Sequence, residues 1–259
     1  MQDLKVSIIG RSNYAAILPL MNQIHDLVAK GEHEPVILVT EHEAVVTMGN
    51  RKLREDLRFP ILANGSNGLP GSRLPYFEID RGGSATAHEP GQLVVYPILP
   101  IQWFSGSVRA YVGVLERAVI QTCRVFGVAA ECKREFPGVW VGERKIAAVG
   151  VRVKNHVTKH GLAFNVINDL SAFDQIVPCG IRGKGVTSLC AELNSAEHDS
   201  LAAQASGFGN VSRQELFAAA QSTLLENLQT IFLAGAHGSV RNFVIHHGSP
   251  LVSGMLGSI

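Results

Sequence analysis

Two stretches of this chain carry apolar residues at helical spacing, a capping box marks a third helix, and the strand-like runs lie between the first helix and the third. Tyr14, Ile17, Leu18, Met21, Ile24 and Val28 form the first stripe, which predicts an amphipathic helix over residues 13–30. Val108, Tyr111, Val112, Leu115, Val119 and Phe126 form the second. The third helix begins at Ser212-Arg-Gln-Glu215, a capping box, and is expected to run to about Phe232.

Between these helices, Val36–Val39, Val45–Met48, Phe77–Ile79, Leu93–Ile98 and Leu162–Val166 read as strands. Val139–Val141 and Ile146–Val153 read as a hairpin. The stretch from Phe59 to Pro75 holds three prolines and three glycines and is expected to be a long loop. Strands in the middle with helices before, between and after them predict an α+β fold with a mixed central sheet. A chain of 259 residues can be one such unit. The expected organisation is a single domain over residues 1–232, with 233–259 as a C-terminal tail.

The formal net charge of +1 provides no global field to favour nucleic acid or an anionic membrane surface. The local basic clusters, Arg51, Lys52 and Arg54 and then Arg182 and Lys184, read as solvated surface. No apolar run approaches the roughly 20 residues needed to span a bilayer, and the first residues lack the pattern of a signal peptide. Cys123, Cys132, Cys179 and Cys190 have neither disulfide-framework nor zinc-site spacing. Reduced thiols and a cytoplasmic location are therefore expected. No metal and no cofactor are expected.

Three segments concentrate chemistry. In Arg81-Gly-Gly-Ser-Ala-Thr-Ala-His88 the paired glycines allow close backbone approach to a ligand and leave N–H groups to face it. Thr86 and His88 would share one face of an extended segment. In Lys145-Ile-Ala-Ala-Val-Gly150, the small residues Ala147, Ala148 and Gly150 leave room for a ligand beside a strand. Lys159-His160-Gly161 repeats that pattern. Finally, Pro178-Cys179-Gly180 places a thiol on a constrained turn, whereas Cys123 falls within the second helix and reads as core. A thiol is a good nucleophile only as thiolate, which a nearby cation would favour.

Together these segments resemble the lipoyl (octanoyl) transferase family, within the biotin and lipoate protein ligase-like superfamily. The resemblance covers about residues 5–230 and rests on EHEAVVTMGN (41–50), RGGSATAHEPGQLVVYPI (81–98), KIAAVGV (145–151), HGLAFNV (160–166) and VPCGI with VTSL (177–189). It implies a biotin/lipoate protein ligase-like fold. It also implies transfer of an octanoyl group from octanoyl-acyl carrier protein to a lysine of a lipoyl domain. That domain would belong to a 2-oxoacid dehydrogenase or to the glycine cleavage H protein.

On the family pattern Cys179 is the acyl-thioester nucleophile and Lys145 its partner. Substrate contacts carry over to Arg81, Gly82, Gly83, Ser84, Ala85, Thr86, Ala87 and His88, to Ala148, Val149 and Gly150, and to Gly161, Leu162 and Ala163. His88 and His160 are further candidates for proton transfer or orientation. Where the family commonly reads TYHGPGQ, this chain has Thr86-Ala-His-Glu-Pro-Gly-Gln92. Ala87 and Glu89 are thus expected to reshape the pocket mouth. The competing readings are an ATP-dependent lipoate-protein ligase, a lipoyl-relay amidotransferase, and a non-catalytic acyl-binding protein on the same fold.

Overall fold

The structure, a computed structural model, describes residues 2–58, 74–177, 183–196, 211–235 and 240–248. Most of the expected loop 59–75 lies outside these residues, as do Cys179 and Arg182.

The first helix, α1 (Tyr14–Lys30), follows strand β1 (Gln2–Ser12) and is capped by the Asn13 side chain, which accepts from the Ala15 N–H. Gly31, at φ 75°, ends it in the left-handed conformation that costs glycine least. Next come β2 (Val36–His42) and β3 (Val45–Met48), then β4 (Tyr76–Glu78), β5 (Ala85–His88) and β6 (Gln92–Ile98). Helix α2 (Val108–Val125) precedes β7 (Glu131–Lys133), β8 (Phe136–Val141), β9 (Arg144–Lys154) and β10 (Val157–Asn165). The chain continues through β11 (Gly185–Val186), α3 (Leu189–Ala196), α4 (Arg213–Gly235) and β12 (Val240–His247).

Among the described residues the main sheet runs β12-β1-β2-β6-β10-β9-β8-β7, with β11 paired to β9. It is mixed. β1 runs parallel to both β12 and β2, and the pairs from β2 through β7 are antiparallel. Its central strands are covered on both faces, which is why they read as unbroken apolar runs. Successive residues still divide between the layers. Val36, Leu38, Val94 and Tyr96 pack under α1, whereas Ile37, Val39, Leu93 and Val95 pack with α2 and α4. A small sheet, β4-β3-β5, lies beside the main one around its own apolar cluster.

The expected capping box forms as read. Ser212 N–H donates to Glu215 Oε2 at 2.8 Å, and Glu215 N–H donates to Ser212 Oγ at 3.2 Å. Part of the stretch expected to be a tail is sheet: Val240–His247 pairs in parallel with β1, where Val240 and Phe243 join the main core. Its alternation of apolar and polar residues is too short to stand out among the glycines and serines around it. No helix among the described residues is long and apolar enough to cross a membrane.

Candidate active site

A half-open cavity lies between the small sheet, the turn at Arg81–Gly83 and strands β9 and β10. Backbone hydrogen bonds on both sides build that turn. Gly82 N–H donates to Val151 O at 2.9 Å, and the Asn50 and Arg51 N–H groups donate to Arg81 O and Gly83 O. The Gly82 N–H expected to face a ligand is therefore engaged with β9. Gly83 sits at φ 87°, where a side chain would be strained.

Arg81, Gly82, Gly83, Thr86, His88, Ala148, Val149, Gly150, Gly161, Leu162 and Ala163 all line the cavity. The other expected contact residues do not. Ser84 is buried and donates to Asp56 Oδ2. Ala85 and Ala87 lie in the core of the small sheet beside Val46 and Met48. For Ala85 and Ala87 the reason is strand alternation: Thr86 and His88 share the cavity face, and the alanines point the other way. Ala87 is thus a core residue, and Glu89 is buried with its carboxylate bonded to Asn168 and the Ala172 N–H.

Glycine makes the room. At Gly161 an added Cβ would lie 2.1 Å from Val95 O, so strands β6 and β10 leave no space for one. At Gly150 it would meet Arg81 Cδ and Gly82 O at 3.1 Å.

Histidines and tyrosines from distant parts of the chain complete the wall. Tyr14, at the start of α1, stacks on His88 with ring centroids 5.9 Å apart, and meets His42 edge-on. His42 Nε2 hydrogen-bonds Tyr96 Oη at 2.8 Å. Burial, reinforced by His42, pushes the His88 imidazole down to about 3; burial pushes His42 down to about 4. Both rings are therefore neutral at neutral pH. Gln92 donates its amide N–H groups to Ala87 O and Asn165 Oδ1, so its Oε1 accepts from His88 Nδ1–H at 2.8 Å. That leaves the lone pair of His88 on Nε2.

His160 is held differently. Its Nε2–H donates to Asp80 Oδ1 at 2.8 Å, and Lys159 Nζ reaches Asp80 Oδ2 at 2.9 Å. The hydrogen bond from His160 holds the Asp80 carboxyl far below its usual range. Burial keeps His160 itself below its usual value against the pull of Asp80. The backbone at His160 has φ 58°, an unusual conformation inside a strand.

Lys145 occupies a nook that shares Thr86, Ala148 and Ala163 with the cavity and is further lined by Gln92, Asn165, Phe173 and Val186. Its side chain is nearly fully buried. Nζ donates to Pro137 O at 3.0 Å and lies 4.8 Å from the Trp140 ring centroid. A β-bulge sends it there. Val139 pairs with Ala147 but Trp140 pairs with Lys145, so Ile146 is the extra residue. Simple alternation would have put Lys145 on the face of Ala147; the bulge moves it to the face of Ala148. Gly138, at φ 113°, keeps clear the space beside Nζ.

Of the described cysteines, burial pushes the Cys123 thiol up to about 12. Partial burial and Glu116 push Cys132 up to about 11. Neither is disposed to be a thiolate. The described residues include no group of three or more histidines, cysteines or carboxylates placed to hold a metal ion.

Sequence reasoning missed Tyr14, His42, Tyr96, Asp80, Pro137 and Trp140. The strongest available signal was Asp80, directly before Arg81. The rest were hidden by plausible roles as helix, strand or turn residues.

A mixed sheet with helices on both faces and a cleft against a small side sheet is the fold of lipoate-protein ligases. The structure superposes on lipoate-protein ligase A bound with ATP at a TM-score of 0.64 and 14% identity, covering 99% of this chain and 94% of that one. It superposes on the bi-partite lipoate protein ligase of Thermoplasma acidophilum at 0.58 and 13%, covering 100% and 92%. Residues 13–206 match the lipoyl protein ligase A/B catalytic domain, and the chain belongs to that family. Among its relatives, the octanoyltransferase of Desulfovibrio desulfuricans is 41% identical over 184 residues, 71% of this chain and 75% of that protein. The mitochondrial octanoyl-[acyl-carrier-protein]:protein N-octanoyltransferase of Danio rerio is 43% identical over 187 residues, 71% of this chain and 80% of that protein.

Proposed function

We propose that this protein is an octanoyltransferase. It moves an octanoyl group from octanoyl-acyl carrier protein to a lysine of a lipoyl domain through a thioester on Cys179. The observation that carries this reading is the adjacency of two unlike spaces: a cavity lined by small and apolar residues of β9 and β10 and by buried aromatic rings shares Thr86, Ala148 and Ala163 with a nook that holds a buried lysine. The first suits an alkyl chain. The second brings a cation to the reacting end of that chain.

The donor is a thioester, so the transfer needs no separate activation. The Cys179 thiolate attacks the acyl carbon and the carrier thiol leaves. The acceptor amine then attacks the acyl-enzyme, the Cys179 sulfur leaves, and an amide remains. Lys145, held at a carbonyl oxygen and over an aromatic face, stabilises the thiolate by its charge in the first step. It gives its proton to the departing carrier thiolate, and as a neutral amine it takes a proton from the attacking amine in the second step. The Arg81–Gly83 turn, Thr86, Ala148–Gly150 and Gly161–Ala163 hold the acyl chain. His88, with its lone pair on Nε2, is an acceptor on the cavity wall. Residues 1–232 are read as the catalytic domain. The acceptor is read as a lipoyl domain of a 2-oxoacid dehydrogenase or of the glycine cleavage H protein, and the compartment as the cytoplasm.

Incubation with octanoyl-carrier protein, without ATP, should add one octanoyl mass on Cys179, which a lipoyl domain then removes. An adduct on another cysteine, or none, overturns the mechanism. Transfer that requires ATP and free acid would make the protein a ligase; transfer only from another lipoyl protein would make it a relay amidotransferase.

A further inference from the structure

Glu89 lies next to the cavity wall but contributes nothing to it. It is 3% exposed. Its Oε1 accepts from Asn168 Nδ2 at 2.8 Å, and its Oε2 accepts from the Ala172 N–H at 2.9 Å. Both donors belong to the segment that follows β10, which turns through Leu170 at φ 71° into a short 3-10 helix, Ser171–Gln175. Phe173 of that helix is a wall of the Lys145 nook.

The turn that carries Glu89 is tied down on its own side as well. Ile167 N–H donates to Gly91 O at 3.0 Å, and a Cβ at Gly91 would lie 2.7 Å from the Asn168 nitrogen. Asn165 Oδ1 accepts from both Gln92 Nε2 and Asn168 Nδ2. A buried carboxylate that has exchanged water for two directed N–H donors is a stronger and more directional tie than a neutral amide contact. Glu89 is the carboxylate that bridges the two turns, and its two oxygens address a side chain and a backbone N–H four residues apart on the partner segment, which also carries Asp169.

We propose that Glu89 is a positioning residue: it locks the 168–173 turn against the His88–Gln92 turn and so holds Phe173 in the wall beside Lys145. Glu89 touches no reacting group. The inference rests on the transfer reading above and adds to it a determinant of rate at the reacting end. The main acyl cavity does not include the 168–173 turn. Loss of the tie should therefore slow transfer without loosening the grip on the acyl chain.

The test uses the full chain, octanoyl-carrier protein and a lipoyl domain, and compares wild type with Glu89→Gln, Asn168→Ala and the double variant. Glu89→Gln keeps the volume but sets an amide N–H against an N–H. Its kcat is expected to fall about tenfold or more, as for loss of a charge-assisted hydrogen bond. The KM for the octanoyl donor should stay within about twofold. Asn168→Ala should lower kcat less, and the double variant should be no slower than Glu89→Gln by more than about twofold, because one link is broken either way.

A wild type that does not transfer octanoyl overturns the functional reading itself. An active wild type with Glu89→Gln at wild-type kcat, or with KM raised at unchanged kcat, overturns the positioning role alone. If Glu89→Gln does not fold, Asn168→Ala decides: a lower kcat at unchanged KM supports the role, and a wild-type kcat removes it.

Discussion

The acyl cavity and the lysine nook share Thr86, Ala148 and Ala163, yet they are built by opposite means. The cavity is made by omission. Glycines at 82, 150 and 161 remove side chains where strands and the Arg81–Gly83 turn press together, and the buried histidines around it are neutral. The nook is made by provision, with the Pro137 carbonyl and the Trp140 ring supplied to a charged side chain. An alkyl chain needs space and no partners. An ammonium taken out of water needs partners before it can be useful.

The largest effect is expected at Gly161. Gly161→Val drives a side chain into the β6 backbone, and the protein should lose its cooperative thermal transition or fail to accumulate as folded material. A normal melting curve would mean that β10 can shift and that the cavity is not set by that close approach.

Lys145→Met should come next. It removes the charge at similar size and should lower transfer by roughly 10²–10⁴-fold, the usual range for a proton-transfer group. Alkylation of Cys179 at neutral pH should slow in parallel, while binding of the octanoyl donor persists. Unchanged alkylation would detach Lys145 from the cysteine.

Gly150→Val acts on the other space. It narrows the cavity beside Arg81, so the KM for octanoyl-carrier protein should rise about tenfold or more while the alkylation rate stays as in wild type. A fall in thiol reactivity would show that the two spaces are not separable. Trp140→Leu should be milder than Lys145→Met, because a cation–π contact is worth about 1–2 kcal/mol, roughly a tenfold effect on rate.

The smallest effect concerns acid. His42 and His88 hold values of about 4 and 3 in the folded protein, below the 6.5 expected for the unfolded chain. Between these limits the unfolded state binds more protons. The stability present above pH 6.5 is therefore lost as pH falls toward 4 and then 3. Thermal midpoints should drop by a few degrees between pH 7 and 5, and the slope should be shallower in His42→Gln. Glu89, raised by burial, acts in the opposite sense, so the difference between wild type and variant is the informative quantity. Identical slopes would mean that His42 is not held neutral by its surroundings.

Much of the cavity was legible in the sequence. Thr86 and His88 were placed on one face by a period of two, and β5 is the strand that reading required. Taking the contact run whole also brought in Ala85 and Ala87, which the same period turns toward the small core, and Ser84, which precedes β5 and bonds Asp56. The nook was legible only as a lysine near small residues. Nothing in Trp140-Val-Gly-Glu-Arg-Lys145 announces that Ile146 is extra in the pairing, because a bulge is a property of two strands in register.

What the sequence determined by itself is the periodic part. The stripes of α1 and α2, the buried runs of β2 and β6, and the capping box at Ser212 that opens α4 follow from local spacing and local hydrogen bonding. The tertiary structure alone decided which separated residues meet. Tyr14, His42, His88 and Tyr96 gather under one cavity, Asp80 reaches His160 across the fold, and Glu89 grips a turn some 80 residues downstream. These contacts have no local signature, because each residue satisfies the propensity of its own element equally well without the others. Burial then gives them their chemistry: in water the same imidazoles would titrate near 6.5 and the same carboxylate would hold nothing in place.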